Sequence, residues 1–240
     1  MITALLSLLL AGLLVYAIAF KKYPPALYVL TYQKVGVAPK NSRLKNTWTT
    51  PTRLEKDFQF LQRCGFHTLH PKELGKLATK PVLLAFIGGY QTFFTEVFPL
   101  LKKYNLKACI FLTPDTIGTY NRWQNPHTEP WQNILTAQQL EILARSPLVS
   151  FGTLGLTENS APSFDITLTQ NTLEESIARF ERLYKLPVSA ACATNKNATL
   201  PNTSLPVLLP QTGKNALTEA QYLRVISPSF YGRFRLWQHR

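Results

Sequence analysis

Acid–base or metal chemistry needs carboxylates, imidazoles or thiolates that can converge on one point, and this sequence supplies few. Its 240 residues include the aspartates Asp57, Asp115 and Asp165, the histidines His67, His70, His127 and His239, and the cysteines Cys64, Cys109 and Cys192. Only His67 and His70 are near neighbours in sequence, and their spacing in a loop between helical patterns reads as surface rather than as a metal pair. An odd number of widely spaced cysteines argues against a disulfide framework or a zinc ribbon. Cys109 and Cys192 fall inside apolar runs and read as buried, inert thiols. Asp57 is expected on the solvated face of a helix. Asp115, in the turn-like TPDTIG, follows an apolar run, so it is the one aspartate expected at the end of a strand, as a turn residue or a ligand contact. There is no G-x-S-x-G elbow, P-loop or H-E-x-x-H. Gly88-Gly89 lacks the spacing of a dinucleotide fingerprint.

The elements that would position these groups follow from periodicity. Short apolar runs read as strands over Leu27–Tyr32, Pro81–Phe86, Ala108–Thr113, Leu148–Gly152 and Val188–Ala193, with two more at Val207–Leu209 and Leu223–Ile226. Pro81–Phe86 shows no polar alternation, the pattern of a strand buried on both faces. Between them lie helical patterns: one capped by Thr50 and opened by Pro51, a short one at Pro71–Leu77, Phe93–Tyr104 despite Pro99, Ala137–Arg145 capped by Thr136, and Leu173–Tyr184. Phe230, Phe234 and Trp237 share a helical face near the end and read as a docking surface. Strands alternating with helices imply a parallel sheet, open or closed as a barrel, with chemistry at the C-terminal ends of the strands.

Charge and hydropathy bound the partners. Residues 2–20 carry no charge and are long enough to cross a bilayer, so residues 1–22 are expected to be a membrane anchor or a signal peptide and 23–240 a single domain. Lys21 and Lys22 alone would favour a cytoplasmic domain. The formal net charge is +13, which favours anionic partners such as headgroups or acidic polymers. The charges are spread along the chain without a nucleic-acid motif, so no nucleic-acid partner is expected.

The order and spacing of the segments LTYQKV at Leu30–Val35, KPVLLAFIGGY at Lys80–Tyr90, PLLKKYNLKACIFL at Pro99–Leu112, LTAQQLEILARSPLVSFGTL at Leu135–Leu154 and LEESIARFERLYKLPVSA at Leu173–Ala190 resemble the polysaccharide deacetylases, the NodB-homology group of carbohydrate esterases. The resemblance implies an α/β fold, a distorted, incomplete (β/α) barrel. It also implies metal-dependent removal of acetyl groups. In that family a carboxylate base activates water while a second carboxylate and two histidines hold a divalent metal such as zinc. Here the two aspartate positions of the TFDDGY-like motif are Ile87 and Gly88, between a retained Phe86 and a retained Gly89-Tyr90. The two histidine positions are Leu154 and Glu158, after a retained Phe151-Gly152. The first-strand histidine is Gln33.

Loss at every one of these positions predicts a chain without the family's metal or its catalysis, an extracytoplasmic, membrane-anchored protein of the cell envelope that binds a polysaccharide or an anionic envelope polymer. Tyr32, Tyr90, Trp123 and Trp131 are candidate sugar-stacking groups and Asp115 a candidate polar contact. Trp123 and Trp131 lie in a long loop expected to rim the pocket. The alternative is an active metal-dependent hydrolase with a rearranged site drawn from Glu158, Asp115 and His127.

Overall fold

The computed structural model describes residues 28–74, 80–154, 170–192 and 205, together with the backbone of 207–210 and 222–226. The strands are β1 (Tyr28–Tyr32), β2 (Lys34–Val35), β3 (Trp48–Thr49), β4 (His67–Thr68), β5 (Pro81–Ile87), β6 (Ala108–Leu112), β7 (Val149–Thr153), β8 (Val188–Cys192), β9 (Val207–Pro210) and β10 (Tyr222–Ile226). The helices are α1 (Pro51–Arg63), α2 (Phe98–Tyr104), α3 (Ala137–Ala144) and α4 (Gln170–Tyr184). The main sheet runs β1-β5-β6-β7-β8-β9-β10, with β4 also on β5. All these pairings are parallel except β9 with β10. Strand β10 lies beside β1, and among the described residues no ladder joins the two.

Local signals explain the helices. Thr50 accepts a hydrogen bond from the Arg53 amide and Pro51 opens α1. Thr136 and Gln139 cap α3 reciprocally. Residues Phe93–Val97 form a π-turn that runs into α2, and the Phe98 amide bonds back to the Phe93 carbonyl. Pro99 has no N–H to offer, and its ring would collide with the carbonyl of Thr95 in a regular α-turn. The widened turn relieves that collision and lets the helix continue.

Strand β5 is buried along its whole length, with its side chains divided between two cores. Val82, Leu84 and Phe86 face outward against Leu54, Phe58 and Leu61 of α1 and Val97 and Leu101 of the π/α2 segment. Leu83, Ala85 and Ile87 face inward, with Cys109, Phe111, Ala190 and Cys192. The first core glues helices to the sheet, and the second fills the barrel interior. Two short pairings, β2 with β3 and β4 with β5, were not expected from periodicity. Among the described residues no helix is long and apolar enough to cross a membrane. The apolar segment 2–20 and the face of Phe230, Phe234 and Trp237 lie outside the described residues.

Candidate functional site

The C-terminal ends of β5, β6 and β7 meet where the chemistry of such a sheet belongs. Ile87, the last residue of β5, points into the interior beside Phe111, and Leu154, half-buried, packs on the same cluster. The Phe111 ring lies so close to Gly152 that a Cβ there would come within 2.5 Å of it. Gly88 and Gly89 follow with φ of +103° and +68°. A Cβ on Gly88 would meet the Tyr90 ring at 2.7 Å, and one on Gly89 would meet Leu112 at 2.3 Å. The Gly88 amide donates to the Phe111 carbonyl at 3.0 Å, which fixes this tight turn against β6. Among the described residues, the interior below the strand ends is therefore packed and apolar.

A divalent metal does not fit this donor set. Ile87, Gly88 and Leu154 offer no side-chain ligand to a hard cation, and among the described residues no three His, Cys, Asp or Glu are grouped to hold one. Glu158 lies outside the described residues. Gln33 is half-buried between β1 and β2. Asp115 is engaged by α4. Its carboxylate pairs with Arg179 of α4 at 2.8 Å, and beside it the Tyr184 hydroxyl donates to the Pro114 carbonyl. These contacts tie the turn after β6 to α4. His127 is exposed in the long loop, its amide bonded to Asn125.

The aromatic candidates divide. Tyr32 stands apart, because its ring is buried on the helix side, stacked on Phe86 at 5.0 Å, and its hydroxyl donates to Asp57 at 3.3 Å. Burial, reinforced by the Asp57 charge, raises its pKa well above the ordinary tyrosine value. Tyr90, Trp123 and Trp131 are brought to one end of the sheet. The loop 119–133 is pinned at its neck by Leu135 N–H to the Gly89 carbonyl (2.9 Å), Gln91 N–H to Asn133 (2.8 Å) and Ile134 N–H to Thr119 (2.8 Å). Trp123 tilts over Tyr90 with ring centroids 6.5 Å apart. Tyr90 is itself buried, which raises its pKa although Asn121 bonds to it. Trp131 is exposed and stacks on Tyr120 at 4.5 Å.

Sequence reasoning missed a polar lock under this loop. The Glu129 carboxylate, 2% exposed, receives the Lys34 ammonium, the Ser42 hydroxyl at 2.6 Å and the Trp48 indole N–H at 2.9 Å. The Lys34 ammonium also lies over the rings of Trp48 (5.2 Å) and Tyr90 (5.9 Å). Burial opposes the charge on Glu129, yet its donors outweigh that cost and hold its pKa below the ordinary carboxylate value. Burial lowers the Lys34 pKa, partly offset by Glu129. The one available signal was that Glu129 is the only acid in its loop.

No protein-family model matches the chain. Its sequence is 31% identical over 103 residues to a protein of Bacillus subtilis (strain 168), YxkH, described as a polysaccharide deacetylase. That match spans 40% of this chain and 34% of the relative, so the chain covers about a third of it. Its structure is similar to a polysaccharide deacetylase from Bacillus cereus (TM-score 0.55, 17% identity, 69% of this chain and 50% of that one). It is also similar to a de-N-acetylase from Aggregatibacter actinomycetemcomitans (TM-score 0.56, 15% identity, 72% and 80%). The Streptococcus pyogenes deacetylase PplD, solved with acetate, matches with a TM-score of 0.52 at 19% identity over 69% of this chain and 72% of that one. At these identities the structural likeness is one of fold.

Proposed function

Starting from a chain that is polysaccharide deacetylase-like in fold and, over part of its length, in sequence, we propose that it is a glycan-binding protein of the cell envelope that does not deacetylate. The observation that carries this reading is the apolar interior at the strand ends. Where the family implies a base and metal ligands, Ile87, Phe111 and Leu154 pack together, and Gly88 has no room for a side chain. A carboxylate placed there would be buried without a cation or donors to offset its desolvation. What the same end of the sheet offers instead is aromatic surface on the loop 119–133. The uncharged segment 2–20 holds the protein at a membrane, with the domain on the outer side where polysaccharide is found.

The test is made on the full chain, purified in detergent and exposed to zinc, cobalt or nickel. The expected result is no stoichiometric metal after dialysis and no acetate released from a chitin oligosaccharide. One metal per chain together with acetate release overturns the inactive reading. An anchored reporter that is shielded from protease added to intact cells overturns the outward orientation.

A further inference from the structure

We propose that the glycan contact is an aromatic, cationic platform on two locked surface loops, built from Tyr120 and Trp131 with Lys40, Arg43, Lys45 and Arg122, and that it takes an acidic polysaccharide. This deepens the glycan-binding reading and rests on it. The loops are residues 36–47 and 119–133. They are joined by the Arg43 amide to the Thr128 carbonyl at 3.2 Å and by Glu129 gripping both Ser42 and Lys34. Tyr120 and Trp131, 37% and 44% exposed, are stacked with 26° between their planes. Their geometry is fixed from beneath. The Trp131 indole N–H donates to the Gln124 carbonyl at 2.7 Å, and buried Asn121 bonds both the Gln124 side chain and the Gln132 amide. An exposed aromatic pair held this firmly loses little freedom on binding, and the C–H face of a pyranose packs on the negatively polarised face of such rings.

Charge selects among sugars. Lys40, Arg43, Lys45 and Arg122 are all exposed. The two loops contain one acid, Glu129, and it is buried against Lys34, so the surface they present is cationic. A uronate or other acidic glycan satisfies both the rings and the charges, whereas a neutral chitin-type chain satisfies only the rings. A bilayer would call for apolar side chains that insert past the headgroups, and these two rings lie flat on each other instead.

The experiment is equilibrium binding of the full chain to an oligogalacturonate, with a neutral chito-oligosaccharide of equal length, phosphatidylglycerol vesicles and a single-stranded oligonucleotide as comparators. The oligogalacturonate is expected to bind at least about tenfold more tightly than the neutral chain, and Tyr120→Ala/Trp131→Ala to weaken it by about tenfold or more. Arg43→Gln/Arg122→Gln is expected to weaken it several-fold and to flatten its salt dependence. Both pairs are surface changes, and unchanged melting temperatures keep the comparison sound. If vesicles or the oligonucleotide bind as tightly as the oligogalacturonate, or the double variants bind it unchanged, the platform is wrong. Neutral and acidic chains bound equally and insensitively to these variants would remove the platform and leave the glycan reading standing. Binding to neither would remove both.

Discussion

The Gly88 position shows why a carboxylate at the strand end is more than a single substitution away. Its φ is +103°, a region that costs a residue with a side chain roughly 1–2 kcal/mol, and the Tyr90 ring occupies the Cβ direction. Ile87 is 5% exposed among apolar neighbours, so a carboxylate there would be desolvated without a partner. Ile87→Asp/Gly88→Asp is therefore expected to lower stability by about 3 kcal/mol or more while acetate release stays at background. A urea midpoint and an acetate assay on the same preparation check both halves. The Lys34–Glu129 pair is the opposite case, charges buried together. Glu129→Gln leaves the Lys34 ammonium buried without its counter-charge, at an expected cost of about 3–5 kcal/mol. Lys34→Met/Glu129→Gln removes both charges and is expected to recover a large part of that loss. The sign with pH follows from the depressed Glu129 value. The pair's contribution is complete above the unfolded glutamate value of about 4.3 and is lost as pH falls through the lower folded value. Wild type is therefore expected to lose stability faster than Glu129→Gln when acidified below about pH 4.3, measured by thermal melts on a pH series.

At the scale of elements, strong local signals and the observed structure agree where the signals are dense. The capping box at α3 is one such signal: Thr136 accepts from Gln139 N–H at 3.2 Å and returns its own N–H to the Gln139 side chain at 3.0 Å. Thr136→Ala is expected to cost about 1 kcal/mol, read as a shift of the denaturation midpoint at unchanged slope. Strands β5 and β6 were readable because five or more apolar residues run together, and β7 and β8 from shorter apolar runs interrupted by Ser150 and Ser189; the order of those strands follows from a parallel alternation with helices. The two-residue strands β2, β3 and β4 were not, because a pairing that short is set by what the chain meets in three dimensions and leaves no period behind. The site was harder still. Lys34 and Glu129 are 95 residues apart, and nothing local in either segment announces the other. Asp115 was legible as a turn residue or a ligand contact but not as an ion-pair partner, because Arg179 arrives on a helix later in the chain. Tyr32 was placed correctly at a strand end, yet alternation sends its ring to the helix side.

For the whole molecule, the division into an outer core between sheet and helices and an inner core within the sheet's curve decides what is reachable. Cys109 and Cys192 both belong to the inner core. Burial pushes each thiol up to about 12, moderated at Cys109 by Ser150 and reinforced at Cys192 by the neighbouring Cys109. Cys64, at the end of α1, is only half-buried. Since the thiolate is the reactive form, the native chain at neutral pH is expected to react at Cys64 alone on a minutes timescale with an aromatic disulfide reagent. Cys109 and Cys192 should react only when the barrel opens, so their labelling rate should rise with urea in step with global unfolding. Mass spectrometry of partly labelled protein distinguishes the three sites. Rapid native labelling at Cys192 without unfolding would mean that the interior at the strand ends admits solvent and solutes. The packed, apolar interior on which the non-catalytic reading rests would then be wrong, and a small substrate could enter where Ile87, Phe111 and Leu154 now meet.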